Sequence, residues 1–225
     1  MWKIDTSDEA VLGLAAWQDG SSSWALDARG GEHGISMSTD DKKTQEYFQL
    51  KGVDGATLPT VAEQFVRGNE LHLWLPQGDG TFGIRLALEP IHSDKDCLLL
   101  ETTISIQTDL LDTHPMLDIC VPAGKKRDLT PEGANGDVGS SPISVAQRDS
   151  GDVAVLLGPH DSPFTTDRSG SDKLQLRLFG DFLEKGVIRK ARPWFALCAG
   201  DHSLDDETLT KWWGELQQSP LPLAP

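Results

Sequence analysis

The sequence predicts an all-β protein: a two-layer antiparallel β-sandwich, with residues 1–225 forming a single domain and one short C-terminal helix over about 205–217. Three observations carry this. Apolar residues recur at every second position through the middle of the chain, the period of a strand with one dry face. Such runs are too numerous for one flat sheet and call for two packed layers. Only one stretch, near the C-terminus, places apolar residues at helical spacing.

The alternation is plainest at 70–75, where Leu71, Leu73 and Leu75 are separated by His72 and Trp74. A Gly-rich link at 76–80 leads to a second alternating run with Phe82, Ile84, Leu86 and Leu88, so the two form a hairpin. A third run, 98–107, sets Leu100, Ile104 and Ile106 against Glu101, Thr103, Ser105 and Gln107, which extends the hairpin to a meander. Further strands are expected at 47–50, 61–66, 117–121, 143–147, 153–157, 174–179 and 187–198, and within 10–28 about a turn at 21–23. Residues 30–43 and 122–142 are rich in glycine and charge and are expected to be loops. The interruption at 181–189 reads as a bulged or tight connection, with Gly186 in a conformation other residues avoid.

Near the end, Ser203, Leu204, Asp205 and Asp206 form a helix start, and Leu209, Trp212, Trp213 and Leu216 follow on one stripe before Pro220 and Pro222. That stripe must cover something, and an open end or edge of the sheets is the expected place. In strand number and length the chain resembles the large, many-stranded mutarotase-like supersandwich. The resemblance implies a fold and no activity.

Charge narrows the partners. With 35 acidic against 20 basic residues the formal net charge is −15, which repels nucleic acid and anionic membrane surfaces alike. The short basic groups at 125–127 and 189–192 do not make a phosphate-binding track. Asp5, Asp8 and Glu9 precede the apolar stretch 10–17, the reverse of a secretory leader, and no run is long enough to span a bilayer. The sequence as given therefore predicts a soluble protein, cytoplasmic by default.

The motif search argues against cofactors and metals. Gly78, Gly80 and Gly83 match G-x-G-x-x-G, but a strand follows where dinucleotide binding needs a helix N-terminus. The six histidines never fall at metal-ligand spacing, and the acidic segment 167–172 reads as a turn before it reads as a calcium loop. Cys97, Cys120 and Cys198 lie far apart in apolar surroundings and are expected to be reduced core residues, one disulfide with a spare thiol being the alternative.

What remains is a polar face. Opposite the leucines stand His72, Trp74, Arg85, Glu89 and Glu101, with Gln175 and Arg177 on a later strand that joins them if it shares their sheet. An aromatic ring among guanidinium, carboxylate, amide and imidazole groups suits a carbohydrate or small polar ligand: C–H faces stack on Trp while hydroxyls both donate and accept. The leading expectation is a non-catalytic binding or accessory domain. The alternatives are a carbohydrate-active enzyme, an epimerase or lyase pairing His72 with Glu89 or Glu101, and a structural or partner-docking module built on Trp212 and Trp213.

Overall fold

A computed structural model describes residues 1–5, 7, 11–20, 22–39, 46–122, 124–134, 139–200 and 202–220. Two antiparallel sheets pack face to face. The first holds eight strands in the order β1 (Trp2–Ile4), β2 (Leu14–Asp19), β3 (Ser22–Asp27), β4 (Ile35–Thr39), β5 (Glu46–Gly52), β10 (Met116–Pro122), β15 (Lys173–Phe179) and β14 (Thr166–Asp167). The second runs β11 (Lys125–Leu129), β12 (Ile143–Gln147), β13 (Val153–Leu156), β17 (Trp194–Cys198), β9 (Cys97–Gln107), β8 (Gly83–Ser93), β7 (Glu70–Leu75) and β6 (Glu63–Arg67). A ninth strand, β16 (Ile188–Ala191), lies beside β9 beyond the end of β17.

The sandwich forms because the alternating leucines have somewhere dry to go. Leu71, Leu73 and Leu75 of β7 and Ile84, Leu86 and Leu88 of β8 are buried, and they meet Leu26, Ile35, Met37 and Leu50 of the other layer in one core. Burying each such side chain is worth about 1.5–3 kcal/mol. Phe48 of β5 stacks on Phe195 of β17 with ring centroids 4.0 Å apart, which sets β5 over β17. At one margin Lys126 of β11 pairs with Asp167 of β14 at 2.7 Å. At the other, the Gln64 side chain on β6 accepts from the Gly13 backbone and donates to the Leu14 carbonyl.

Helix α1 (Asp206–Gln218) starts where the acidic residues predict, with the Asp205 side chain accepting from the Thr208 backbone N–H. Its apolar stripe does not close an end or edge. Leu209, Trp213 and Leu216 lie instead on the outer face of the nine-stranded sheet, against Ile143, Val145, Ala154, Leu156, Trp194 and Ala196. These strands are apolar on both faces, so a sheet alone would leave one of them wet.

Several expectations are corrected. Residues 35–39, expected in a loop, form β4, with Ile35 and Met37 buried and Ser36 and Ser38 turned outward; residues 40–43 lie outside the described ones. Residues 125–129 of the second expected loop form β11, a strand at the sheet margin with charged side chains, a usual composition for an edge. Residues 2–4, not anticipated as a strand, form β1. The run 187–198 splits into β16 and β17 at Pro193. Cys97 and Cys198, expected to be reduced, are joined by a disulfide. They face each other on β9 and β17, in a neighbourhood where the Cys198 N–H bonds to Asp152 on the far side and leaves the pair free to come close. Cys120 keeps its thiol, half-buried on β10.

Among the described residues no helix is long and apolar enough to cross a membrane. No group of three or more His, Cys, Asp or Glu side chains gathers there as a metal site requires.

Candidate functional site

The outer face of the nine-stranded sheet is covered by α1 over β12, β13 and β17, whereas over β6, β7, β8 and β9 it carries polar side chains. Register turns these side chains into rows that cross the strands. Glu89 is paired with Glu101, and Glu101 in turn with Trp194. One step along the strands, Phe65, His72, Ala87 and Thr103 are partners in succession. A further step gives Glu63, Trp74, Arg85, Ser105 and Lys190. Adjacent rows on one face are roughly 6.8 Å apart along the strand, and strands about 4.8 Å apart.

The middle row is low between β8 and β9, because Ala87 and Thr103 are short. Side-chain size and register together make this row the floor of a shallow trough, and the rows on its two sides differ in chemistry. One wall is a line of acceptors, the carboxylates of Glu70, Glu89 and Glu101. Burial pushes the Glu89 carboxyl above the ordinary glutamate range, and the neighbouring charges of Glu70 and Glu101 push it the same way. Glu101 accepts a hydrogen bond from Trp194 Nε1 at 2.7 Å, which fixes it at the rim of the region under the helix. The other wall ends in the Glu63 carboxylate on β6 and carries donors over β8 and beyond, with the exposed Arg85 guanidinium lying 4.6 Å from the Trp74 ring centroid.

A shallow dip continues the donor wall past Arg85, Ser105 and Gln107 to Ile188 and Lys190. Gly83 makes room at this end: a Cβ there would stand 3.0 Å from the Trp74 ring and 3.0 Å from the Gln77 nitrogen. The glycine of the apparent nucleotide motif thus accommodates an indole in a hairpin.

At the end of the trough nearest β6, Phe65 stacks on His72 with centroids 4.8 Å apart and planes 15° apart. His72 Nε2 comes within 3.0 Å of Glu70 Oε2, without the alignment of a hydrogen bond.

Five of the seven expected residues, His72, Trp74, Arg85, Glu89 and Glu101, therefore share this face. Gln175 and Arg177 do not. They stand on β15 of the other sheet, where Arg177 gives a two-pronged bond to Asp118 at 2.9 and 3.0 Å and Gln175 adds a third at 2.6 Å. Asp118 is buried, and this cluster satisfies it. Phe65, Glu70 and Lys190 belong to the face and were not anticipated from the sequence. Phe65 had a signal: Gly68 and Asn69 form a two-residue turn, with Gly68 at φ +63° and Arg67 opposite Glu70, and that turn puts Phe65 opposite His72.

The sequence matches no protein-family model and no curated protein. Among solved structures it is similar to the heparan sulfate lyase HepC from Pedobacter heparinus, with a TM-score of 0.49 and 9% identity over 85% of this chain and 36% of that one. A heparinase III gene product with methylated lysines gives a TM-score of 0.47 and 11% identity over 85% and 35%. The chain spans about a third of the length of these proteins. A likeness this distant decides neither ligand nor reaction.

Proposed function

We propose that this chain is a non-catalytic carbohydrate-binding domain that takes a neutral glycan in the trough between the Glu70–Glu89–Glu101 wall and the Trp74–Arg85 wall. The observation that carries the reading is the facing of an acceptor row and a donor row across a floor of Ala87 and Thr103. Sugar hydroxyls donate and accept at once, so a ring lying between such walls uses both. A ring stacking on Trp74 takes the place of the Arg85 guanidinium, which is exposed and free to turn toward hydroxyls. The carboxylates, together with a net charge of −15, favour a neutral glycan over a sulfated or uronic one.

Catalysis by an imidazole and a carboxylate needs the two to converge on one reacting atom. His72 instead lies between the Phe65 ring and Glu70, while Glu101 is held by Trp194.

Electrophoresis of the native protein through gels containing a soluble β-glucan, a xylan or a galactomannan tests the proposal. At least one gel should retard the protein, Trp74→Ala should abolish the retardation, and no new reducing ends should appear in the polysaccharide. Free migration of the wild type in all three, or equal retardation of the variant, refutes it.

A further inference from the structure

The nine-stranded sheet has a notch. β13 ends at Leu156, so β16, which continues the line of β17, pairs with β9 on one side and, among the described residues, with no strand on the other. The chain leaving β13 fills part of the gap: Asp161 Oδ2 accepts the Arg192 backbone N–H at 3.1 Å, in the place a neighbouring strand would occupy. Beside this substitute pairing lies a cleft of about 270 Å³, between β16, the turn at Ser162–Phe164 and the end of β15.

Two aromatic rings line it, Phe164 standing in solvent and Phe179 half-buried with one side against the core. Phe164 is 65% exposed. Phe179, at the end of β15 before Gly180, has φ +65°, a left-handed conformation that costs a bulky residue roughly 1–3 kcal/mol and that clusters at ligand and active sites. Their polar companions balance donors against acceptors: Arg189, Lys190 and His160 on one side of the account, Asp161 and Asp181 on the other. Arg189 and Asp181 stand 3.5 Å apart, and Arg189 also donates to the Phe182 carbonyl, so the cleft has no excess of free positive charge for a phosphate or sulfate. Leu178 and Ala191 form an apolar floor.

We propose that this cleft is a second binding site, distinct from the trough, for a single neutral sugar ring in the pyranose form. An aromatic edge for the C–H face and a mixed ring of donors and acceptors are what such a ring requires. The volume lies just under the ~300–1,000 Å³ of pockets that enclose drug-sized ligands, so one ring fits and a chain of rings does not. Lys190 borders both sites, but the cleft is built from other elements and does not depend on the reading of the trough.

The test is a titration of the ¹⁵N-labelled chain, followed by amide chemical shifts, with the methyl glycosides of glucose, galactose and mannose up to about 50 mM, which saturates a millimolar site. At least one glycoside should give saturable shifts at Phe164, Thr165, Phe179, Gly180 and Lys190. Phe164→Ala, at an exposed position that leaves the fold intact, should weaken binding about two- to tenfold, and Phe164→Trp should restore it. No saturable shift at these residues with any of the three overturns the proposal, as does unchanged binding by Phe164→Ala. Shifts confined to residues 72–103 of the outer face would support the trough and overturn the cleft, whereas shifts at the cleft alone would support the cleft and leave the trough to the polysaccharide gels.

Discussion

Glu89 and Glu101 are direct partners on β8 and β9, on the solvent side of the sheet, so two carboxylates share one rung of the ladder. Like charges so placed oppose pairing. Burial first, then Glu70 and Glu101, raise the Glu89 carboxyl. A raised acid binds its proton more tightly in the folded chain than in the unfolded one, so its contribution to stability is complete below the ordinary glutamate range and is lost as pH rises through the raised value. Glu89→Gln should therefore be more stable than the wild type at pH 7, by less than about 1 kcal/mol because the site is partly solvated. The advantage should shrink at about pH 4, where the wild-type carboxyl also carries a proton. Urea unfolding at the two pH values measures both, and an advantage that grows toward pH 4 contradicts the assignment.

The disulfide closes a long loop, because Cys97 and Cys198 are 101 residues apart. Cross-links over loops of this length restrict the unfolded chain by about 3–5 kcal/mol. The double variant Cys97→Ala, Cys198→Ala should lose stability of that order in guanidinium unfolding. The unfolded, unreduced wild type should react with one equivalent of a thiol reagent, at Cys120; three equivalents would show that the bridge is absent.

Trp212 and Trp213 are neighbours on α1 with different duties. Trp213 is buried and its Nε1 donates to the Leu157 carbonyl at 2.9 Å, whereas Trp212 is half-buried with its ring 6.1 Å from that of His92. Trp213→Ala should cost about 3–5 kcal/mol, since it opens a cavity and strands a carbonyl. Trp212→Ala should cost distinctly less. Light scattering of the Trp213 variant should give the wild-type mass, because a tryptophan buried within the chain cannot serve as an interface between copies.

How far the sequence announced this structure depends on whether a feature is local. The ladder β7–β8–β9 was legible because each strand repeats its leucines or isoleucines at every second residue, and that same repeat assigned His72, Trp74, Arg85, Glu89 and Glu101 to one face. β4 was hidden because its dry face has only Ile35 and Met37, set between glycines and charges. β11 was hidden because it is held by polar partners: Ser144 bonds to Asp128, and Arg127 reaches the Leu204 carbonyl beyond the sheet. Periodicity placed Gln175 and Arg177 opposite their leucines, correctly, but gave no means of telling which sheet β15 would join, because that choice is made by pairing with β10, more than fifty residues earlier. The cysteine pairing was equally non-local, since it needs the register of β9 against β17. The trough was half legible: its walls follow from alternation, but its depth comes from Ala87 and Thr103 standing side by side across two strands.

That depth allows a test that removes no polar group. Ala87 is half-buried at the centre of the floor, between His72 and Thr103. Ala87→Trp would raise the floor to the height of the walls while leaving Trp74, Arg85 and the three glutamates in place. The indole projects outward from the sheet, so the variant should still unfold cooperatively, with a stability loss below the ~1–3 kcal/mol of overpacking a closed core. Retardation by the neutral polysaccharide that holds the wild type should be lost. Ala87→Ser, which keeps the floor low, should bind as the wild type does. Heparin or another sulfated glycan should retard neither protein at physiological salt, because the Debye length of about 8 Å leaves the nearby carboxylates unscreened. Retention of the wild type by the sulfated glycan in preference to the neutral ones would mean that Arg85 and Lys190 outweigh the glutamates, and that the donor wall alone selects the ligand.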